Sequence, residues 1–239
     1  MLWINSHRKI FLFLVVHFTF LLCNGQTLKL SAFVLTLPPK EGSSEWYKLN
    51  DSDDEFSVYN QNGKLFIKRA VDESEQEFKL PNGKLVAVDH GEFGGQLIYR
   101  PTNSTVDIKI KSGNVKFIFR FKGDIYFIEG LAHLSHSSGA LYRLDTLNNT
   151  FQYKKVIDFE DAPEAYAISQ GDIFIASFEN LYLVHNFKLT LLLKNAFWSG
   201  LYPNSIAVLE DKQIYIGIRS GYVKFTLSDK KMTFYKFKG

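Results

Sequence analysis

Glu129, His133 and His136 lie within eight residues, in Glu129-Gly130-Leu131-Ala132-His133-Leu134-Ser135-His136. Imidazole and carboxylate are ligands for zinc and similar ions. The set lacks a fourth ligand, and His-x-x-His outside a helix is a weak signal. It reads as a hydrogen-bonded loop between two strands, with no metal and no cofactor expected. Glycoside hydrolysis is a second chemistry to weigh, and it needs two carboxyl groups roughly 5 to 9 Å apart. Asp89, Glu129, Asp161 and Glu164 stand where β-runs end, but their spacing selects no pair. Serine hydrolysis lacks its Gly-x-Ser-x-Gly elbow, since Ser199 precedes Gly200 without the leading glycine. Phosphate loops and dinucleotide fingerprints are also missing.

Recognition is better supported than catalysis. Phe197-Trp198-Ser199-Gly200-Leu201-Tyr202-Pro203-Asn204 is rich in rings. Trp and Tyr offer rigid contact area with a polar tip. Phe197 and Trp198 would serve equally well as core between packed sheets. Arg219 follows a β-run. With Glu129 and Glu164 it forms either a polar cluster on a central channel or an ion pair that locks elements together. The candidate binding residues are therefore Glu129, His133, His136, Glu164, Trp198, Tyr202, Asn204 and Arg219, with no catalytic set.

The elements that position these residues read as strands. After Gly25 no long apolar stripe of helical period is found. Short β-rich runs alternate with Gly, Asn, Asp and Ser turns. They include Leu28–Leu37, Glu55–Asn60, Lys64–Arg69, Lys84–Asp89, Val115–Phe121, Asp124–Glu129, Ala140–Asp145, Asp172–Ser177, Gln213–Arg219 and Lys231–Phe237. Asn62-Gly63 and Asn82-Gly83 supply the positive φ angles of tight hairpins.

A repeat underlies the runs. Gly123-Asp124-Ile125-Tyr126-Phe127-Ile128 matches Gly171-Asp172-Ile173-Phe174-Ile175-Ala176 and Asp211-Lys212-Gln213-Ile214-Tyr215-Ile216. Looser copies begin at Asn62-Gly63 and Asn82-Gly83. Pro163-Glu164-Ala165-Tyr166-Ala167-Ile168 matches Pro203-Asn204-Ser205-Ile206-Ala207-Val208. The last two units each contain four antiparallel strands in roughly 40 residues, the size of a propeller blade. The expected fold is all-β, a β-propeller of about five four-stranded blades, with Leu28–Leu37 closing the ring. A β-sandwich or β-meander is the alternative. The first two units look shorter and irregular.

The segment Gly123 to Phe225 resembles bacterial propeller proteins of the broad WD40/YVTN-like class, exported ones among them. The residues that carry this are Gly123 to Gly130, Phe197 to Ser205 and Ile214-Tyr215-Ile216-Gly217-Ile218-Arg219. It covers under half of the chain, and the Trp-Asp strand end of WD40 repeats is missing. The resemblance implies the fold and no activity.

Residues 1–25 read as an export signal: His7, Arg8 and Lys9, then the apolar run Ile10 to Leu22, then Cys23-Asn24-Gly25. The run is short for a membrane span, which takes roughly 20 apolar residues. Cys23 is the one cysteine, and Leu22 before it disfavours lipid anchoring. Residues 26–239 are then a single domain, periplasmic or extracellular. The formal charge of +3 loses Arg8 and Lys9 with the signal, which leaves +1. Without a basic block, no nucleic acid is expected as a partner. The function expected is a non-enzymatic, monomeric binding module for a protein or glycan, possible in the form of a periplasmic immunity protein. A glycan hydrolase or lyase on the same face, and a structural envelope protein without a ligand, are the other readings.

Overall fold

The computed structural model describes residues 27–71, 74–147, 150–210 and 212–239. The expected signal and Cys23 lie outside the described residues. Among the described residues no helix is long and apolar enough to cross a membrane.

Among the described residues, nineteen strands form five antiparallel sheets. The chain starts with β1 (Phe33–Thr36) and a short helix, α1 (Ser44–Asn50). The first sheet is the hairpin β2 (Phe56–Gln61) and β3 (Lys64–Arg69). The second holds β4 (Glu75–Leu80), β5 (Gly83–Asp89), β6 (Gly95–Pro101) and β7 (Ile108–Ser112). The third holds β8 (Val115–Phe121), β9 (Asp124–His133), β10 (His136–Leu147) and β11 (Thr150–Phe159). The fourth holds β12 (Pro163–Ser169), β13 (Asp172–Ser177), β14 (Leu181–His185) and β15 (Lys188–Leu193). The fifth holds β16 (Ser205–Val208), β17 (Gln213–Ile218), β18 (Gly221–Thr226) and β19 (Lys231–Phe237).

Each sheet is built from consecutive strands, as in a propeller and unlike the two facing sheets of a sandwich. The exception is β1, which pairs antiparallel with β19, Phe33 opposite Phe237. It joins the early chain to the last sheet, as expected of a closing strand, but as a fifth strand beside four that the C-terminal unit already supplies.

Packing explains the sequence pattern. Ile125 and Phe127 face the second sheet with Leu85 and Tyr99, whereas Tyr126 and Ile128 face the fourth with Ile173 and Ile175. A sheet covered on both faces needs apolar residues on both, so its strand reads as an unbroken run rather than an alternation. Each fully buried side chain of this kind contributes about 1.5–3 kcal/mol. The repeated turn-plus-strand motif falls on β3, β5, β9, β13 and β17, the second strand of each sheet. At Lys122-Gly123 and Gln170-Gly171 both turn residues have positive φ, the geometry that matches hairpin twist.

Several expectations need correction. Asn82-Gly83 does not turn as a positive-φ pair: Gly83 begins β5, against the Tyr99 ring and the Arg100 carbonyl, where a side chain has no room. The second unit is a complete four-stranded sheet; only the first is short. The strands β4 and β7 were hidden because Glu75, Glu77, Lys79, Lys109 and Lys111 dilute their apolar signal. The stretch around His133 is not a projecting loop. Strands β9 and β10 continue through it, His133 opposite His136, and leave a two-residue turn at Leu134-Ser135. Gly130 and Gly139 have weak strand propensity, yet they are what lets this hairpin pass close to Pro163.

Candidate functional site

The first strands of the sheets bring their polar residues to one cavity of about 450 Å³. Lys116 comes from β8, Glu164 and Tyr166 from β12, Glu75 and Gln76 from β4, Asp89 from the end of β5, and Asn204 from the approach to β16. Lys116 stands between two acids. Its ammonium pairs with Glu164, and lies 3.5 Å from Asp89 Oδ2. Burial pushes the Glu164 carboxyl above its ordinary value. The Lys116 charge and hydrogen bond pull it down, and the Asp89 and Asp161 charges add to the rise.

The walls are fixed by bonds between sheets. Gln76 Oε1 accepts from the Ile118 amide at 2.7 Å, and Gln76 Nε2 donates to the Ile118 carbonyl at 3.3 Å. One side chain thus imitates a strand partner between the second and third sheets. The Phe117 and Tyr166 rings lie 5.0 Å apart, and Phe119 stacks on Tyr166 at 4.6 Å. On the opposite side Ser205 Oγ accepts from the Val58 amide at 2.8 Å and donates to Asn204 Oδ1 at 2.8 Å. The Ser57 hydroxyl donates to the same oxygen at 3.4 Å. With its oxygen held, Asn204 keeps a buried Nδ2 that has no partner among the described residues. An unmade buried hydrogen bond costs about 1–3 kcal/mol, a cost that a ligand acceptor would remove.

Of the candidate binding residues read from the sequence, Glu164 and Asn204 meet at this cavity, joined by Asp89 from the candidate carboxylates, and the others lie elsewhere. Glu129, on the third sheet, pairs at 2.5 Å with Lys111 of the second. Lys111 also lies 5.2 Å from the centre of the Tyr142 ring. Burial, the Glu129 charge and a hydrogen bond to Glu129 push the Tyr142 phenol up to about 12. His133 faces Glu92 at 3.1 Å, and His136 faces Ser138 at 3.0 Å, both at the surface. Among the described residues no group of three His, Cys, Asp or Glu side chains converges as metal ligands would.

Arg219 joins neither Glu129 nor Glu164. Its guanidinium donates to Glu55 at 2.9 Å and to the Asn50 carbonyl at 2.6 Å, with Tyr202 against its face at 4.8 Å. Phe197 is fully buried, and Trp198 packs on Phe234 with ring centres 5.4 Å apart. Trp198, Ser199 and Gly200 all have positive φ. The Trp46 indole of α1 holds this turn by donating to the Trp198 carbonyl at 2.6 Å and the Ser199 carbonyl at 3.1 Å. The aromatic loop is thereby tied down from α1.

Sequence reasoning missed Lys116, because a lone lysine in a β-run carries no motif. It also missed Gln76, which lies in the unread strand β4.

No protein-family model matches the chain, and no curated protein sequence is similar to it. Among solved structures, streptogramin B lyase shares 13% identity over 77% of this chain and 60% of its own, with a TM-score of 0.38. The extracellular domain of what is described as a one-component system from B. thetaiotaomicron shares 12% identity over 77% of this chain and 38% of its own, with a TM-score of 0.32. The chain thus spans less than two thirds of the length of either. Both likenesses are too distant to carry anything about activity.

Proposed function

We propose that the protein is an exported β-propeller of five blades, the first reduced to a hairpin, which binds a glycan unit in its central cavity without transforming it. Export is supported by the basic start and apolar run of residues 7–22. The observation that carries the binding reading is the convergence of Glu75, Asp89, Lys116, Glu164 and Asn204 from separate sheets on one cavity. Sites of this kind combine apolar walls with a few placed polar groups. Here Phe117 and Tyr166 supply ring surface, and the acids and the amide supply acceptors and donors for hydroxyl groups.

Hydrolysis or lysis of the same ligand is the second reading. It is favoured by Glu164, whose raised carboxyl sits across Lys116 from Asp89. Two carboxyl groups with unequal proton affinity are what acid–base cleavage of a glycoside uses. Titration calorimetry against a panel of neutral and amino-sugar oligosaccharides tests both readings, with Glu164→Gln and Lys116→Met alongside. Binding that falls at least tenfold in each variant, with the glycan recovered intact, supports the module. New reducing ends or unsaturated sugars that disappear in Glu164→Gln would transfer the cavity to the enzyme reading. Failure of every glycan to bind would end both.

A further inference from the structure

The outer edge of β1 differs from those of β7 and β11. Lys109 lies on β7, and Lys154 and Lys155 on β11. Charges of this kind keep an exposed edge from pairing with another chain. Strand β1 is Phe-Val-Leu-Thr, with no charge, and its side away from β19 has no strand neighbour among the described residues. Val34 is 44% and Leu35 61% exposed, and Leu37, just beyond, is 87% exposed.

A groove adjoins this edge because the first sheet has two strands where its neighbours have four or five. The hairpin covers the inner part of the fifth sheet through Phe56, Val58 and Ile67, against Phe33, Ala207 and Tyr222. Further out, a groove of about 610 Å³ is left between Leu65 and the rings of Tyr215, Tyr222 and Tyr235. Leu35 stands opposite Tyr235 in register, so the two share this face. Lys64 and Lys224 line the groove. Neither has an acidic partner among the described residues.

The charges select the occupant. Lys29 and Lys40 lie beyond the two ends of β1. A second copy, paired antiparallel about Val34 and Leu35, would bring the Lys29 end of each copy toward the Lys40 end of the other. Bringing like charges together is unfavourable. A strand with acidic ends meets lysines at both ends and in the groove. We propose that the free edge of β1 and the adjoining groove dock an extended apolar segment of a partner protein that carries acidic residues at its ends, added as a strand to β1. Main-chain bonds would supply affinity, and the groove and lysines specificity.

The test uses the full chain and two labelled synthetic peptides, Asp-Glu-Val-Thr-Val-Thr-Val-Glu-Asp and the same core with lysines at both ends, followed by fluorescence anisotropy. The acidic peptide is expected to bind with a micromolar Kd, at least tenfold more tightly than the basic one. Leu35→Lys, a change at an exposed position, should weaken it at least tenfold while the circular dichroism spectrum stays native. Absence of acidic-peptide binding below about 1 mM overturns the proposal, as does equal affinity for the two peptides or indifference to Leu35→Lys. A dimer in sedimentation velocity that Leu35→Lys dissolves would assign the edge to a second copy and overturn it too.

Discussion

Asp161 and Glu164 lie three residues apart where the third sheet passes to the fourth, and both carboxylates are largely shielded from water. Asp161 is saturated. Its oxygens accept from Ser177 Oγ at 2.6 Å, the Glu179 amide at 2.7 Å, Asn180 Nδ2 at 3.0 Å and the Tyr182 hydroxyl at 2.8 Å. Glu164 faces a cavity and pairs with the Lys116 ammonium. A carboxylate whose donors all come from one neighbouring hairpin turn, here that between β13 and β14, is committed to holding that turn. One held by a single shared cation retains acceptor capacity for something else. Burial alone does not separate the two; the source and number of donors do.

The sharpest way to break this contrast is Asp161→Ala. It removes the shared acceptor of four buried or half-buried donors, and hydrogen bonds to a charged group are worth about 1.5–3 kcal/mol each without being additive. We expect a loss of at least about 3 kcal/mol, a fall in Tm on the order of 10 °C by calorimetry. If the fall is under about 3 °C, the turn does not depend on this acid.

Lys116→Met should come next, at about 2–3 kcal/mol near neutral pH, since it leaves Glu164 and Asp89 facing each other without a cation. Acidification should restore much of that loss as Glu164 takes up a proton. Denaturant titrations at pH 5 and pH 7.5 read the difference.

Glu164→Gln should move stability by less than about 1 kcal/mol at neutral pH and change its pH dependence. A carboxyl raised on folding binds its proton more tightly in the folded state. Its contribution is therefore complete below its ordinary value of about 4.5 and is lost as pH rises through the higher folded value. Stability of the parent minus that of the variant should fall across this window; a flat difference would show that Glu164 is not raised. His133→Ala sets the lower limit. An exposed residue paired with exposed Glu92 should shift stability by no more than about 0.5 kcal/mol in thermal melts.

Much of the fold was legible in the sequence. Strand runs appear because both faces of the inner sheets are buried, and the turn-plus-strand motif occurs once per sheet, on β3, β5, β9, β13 and β17. What was hidden has physical causes. Charged outward residues masked β4 and β7, and glycines masked the far halves of β9 and β10. Helix α1 was missed because seven residues span too few turns to show a period. The site was legible in Asp89, as one of four carboxylates that no spacing paired, and in Glu164 and Asn204, both in the repeated Pro-x-small segment that opens the fourth and fifth sheets. Lys116 and Gln76 become visible only when strands far apart in sequence are placed side by side. Arg219 looked like a cavity residue by its position after a strand, and Glu55 claims it instead.

The pairing of β1 with β19 also bears on when the molecule can be finished. Phe33 and Phe237 are about 200 residues apart, so this ladder closes a very long loop, the kind of contact that forms late and slowly. As a growing or translocating chain emerges, the second, third and fourth sheets can assemble from local hairpins while residues 33–36 wait for their partner. The seam between residues early and late in the chain is thus a checkpoint on completeness. A polypeptide cut short before β19 would keep most of its sheets but leave the apolar strand Phe33–Thr36 open along both edges, a surface by which unfinished molecules would be prone to aggregate.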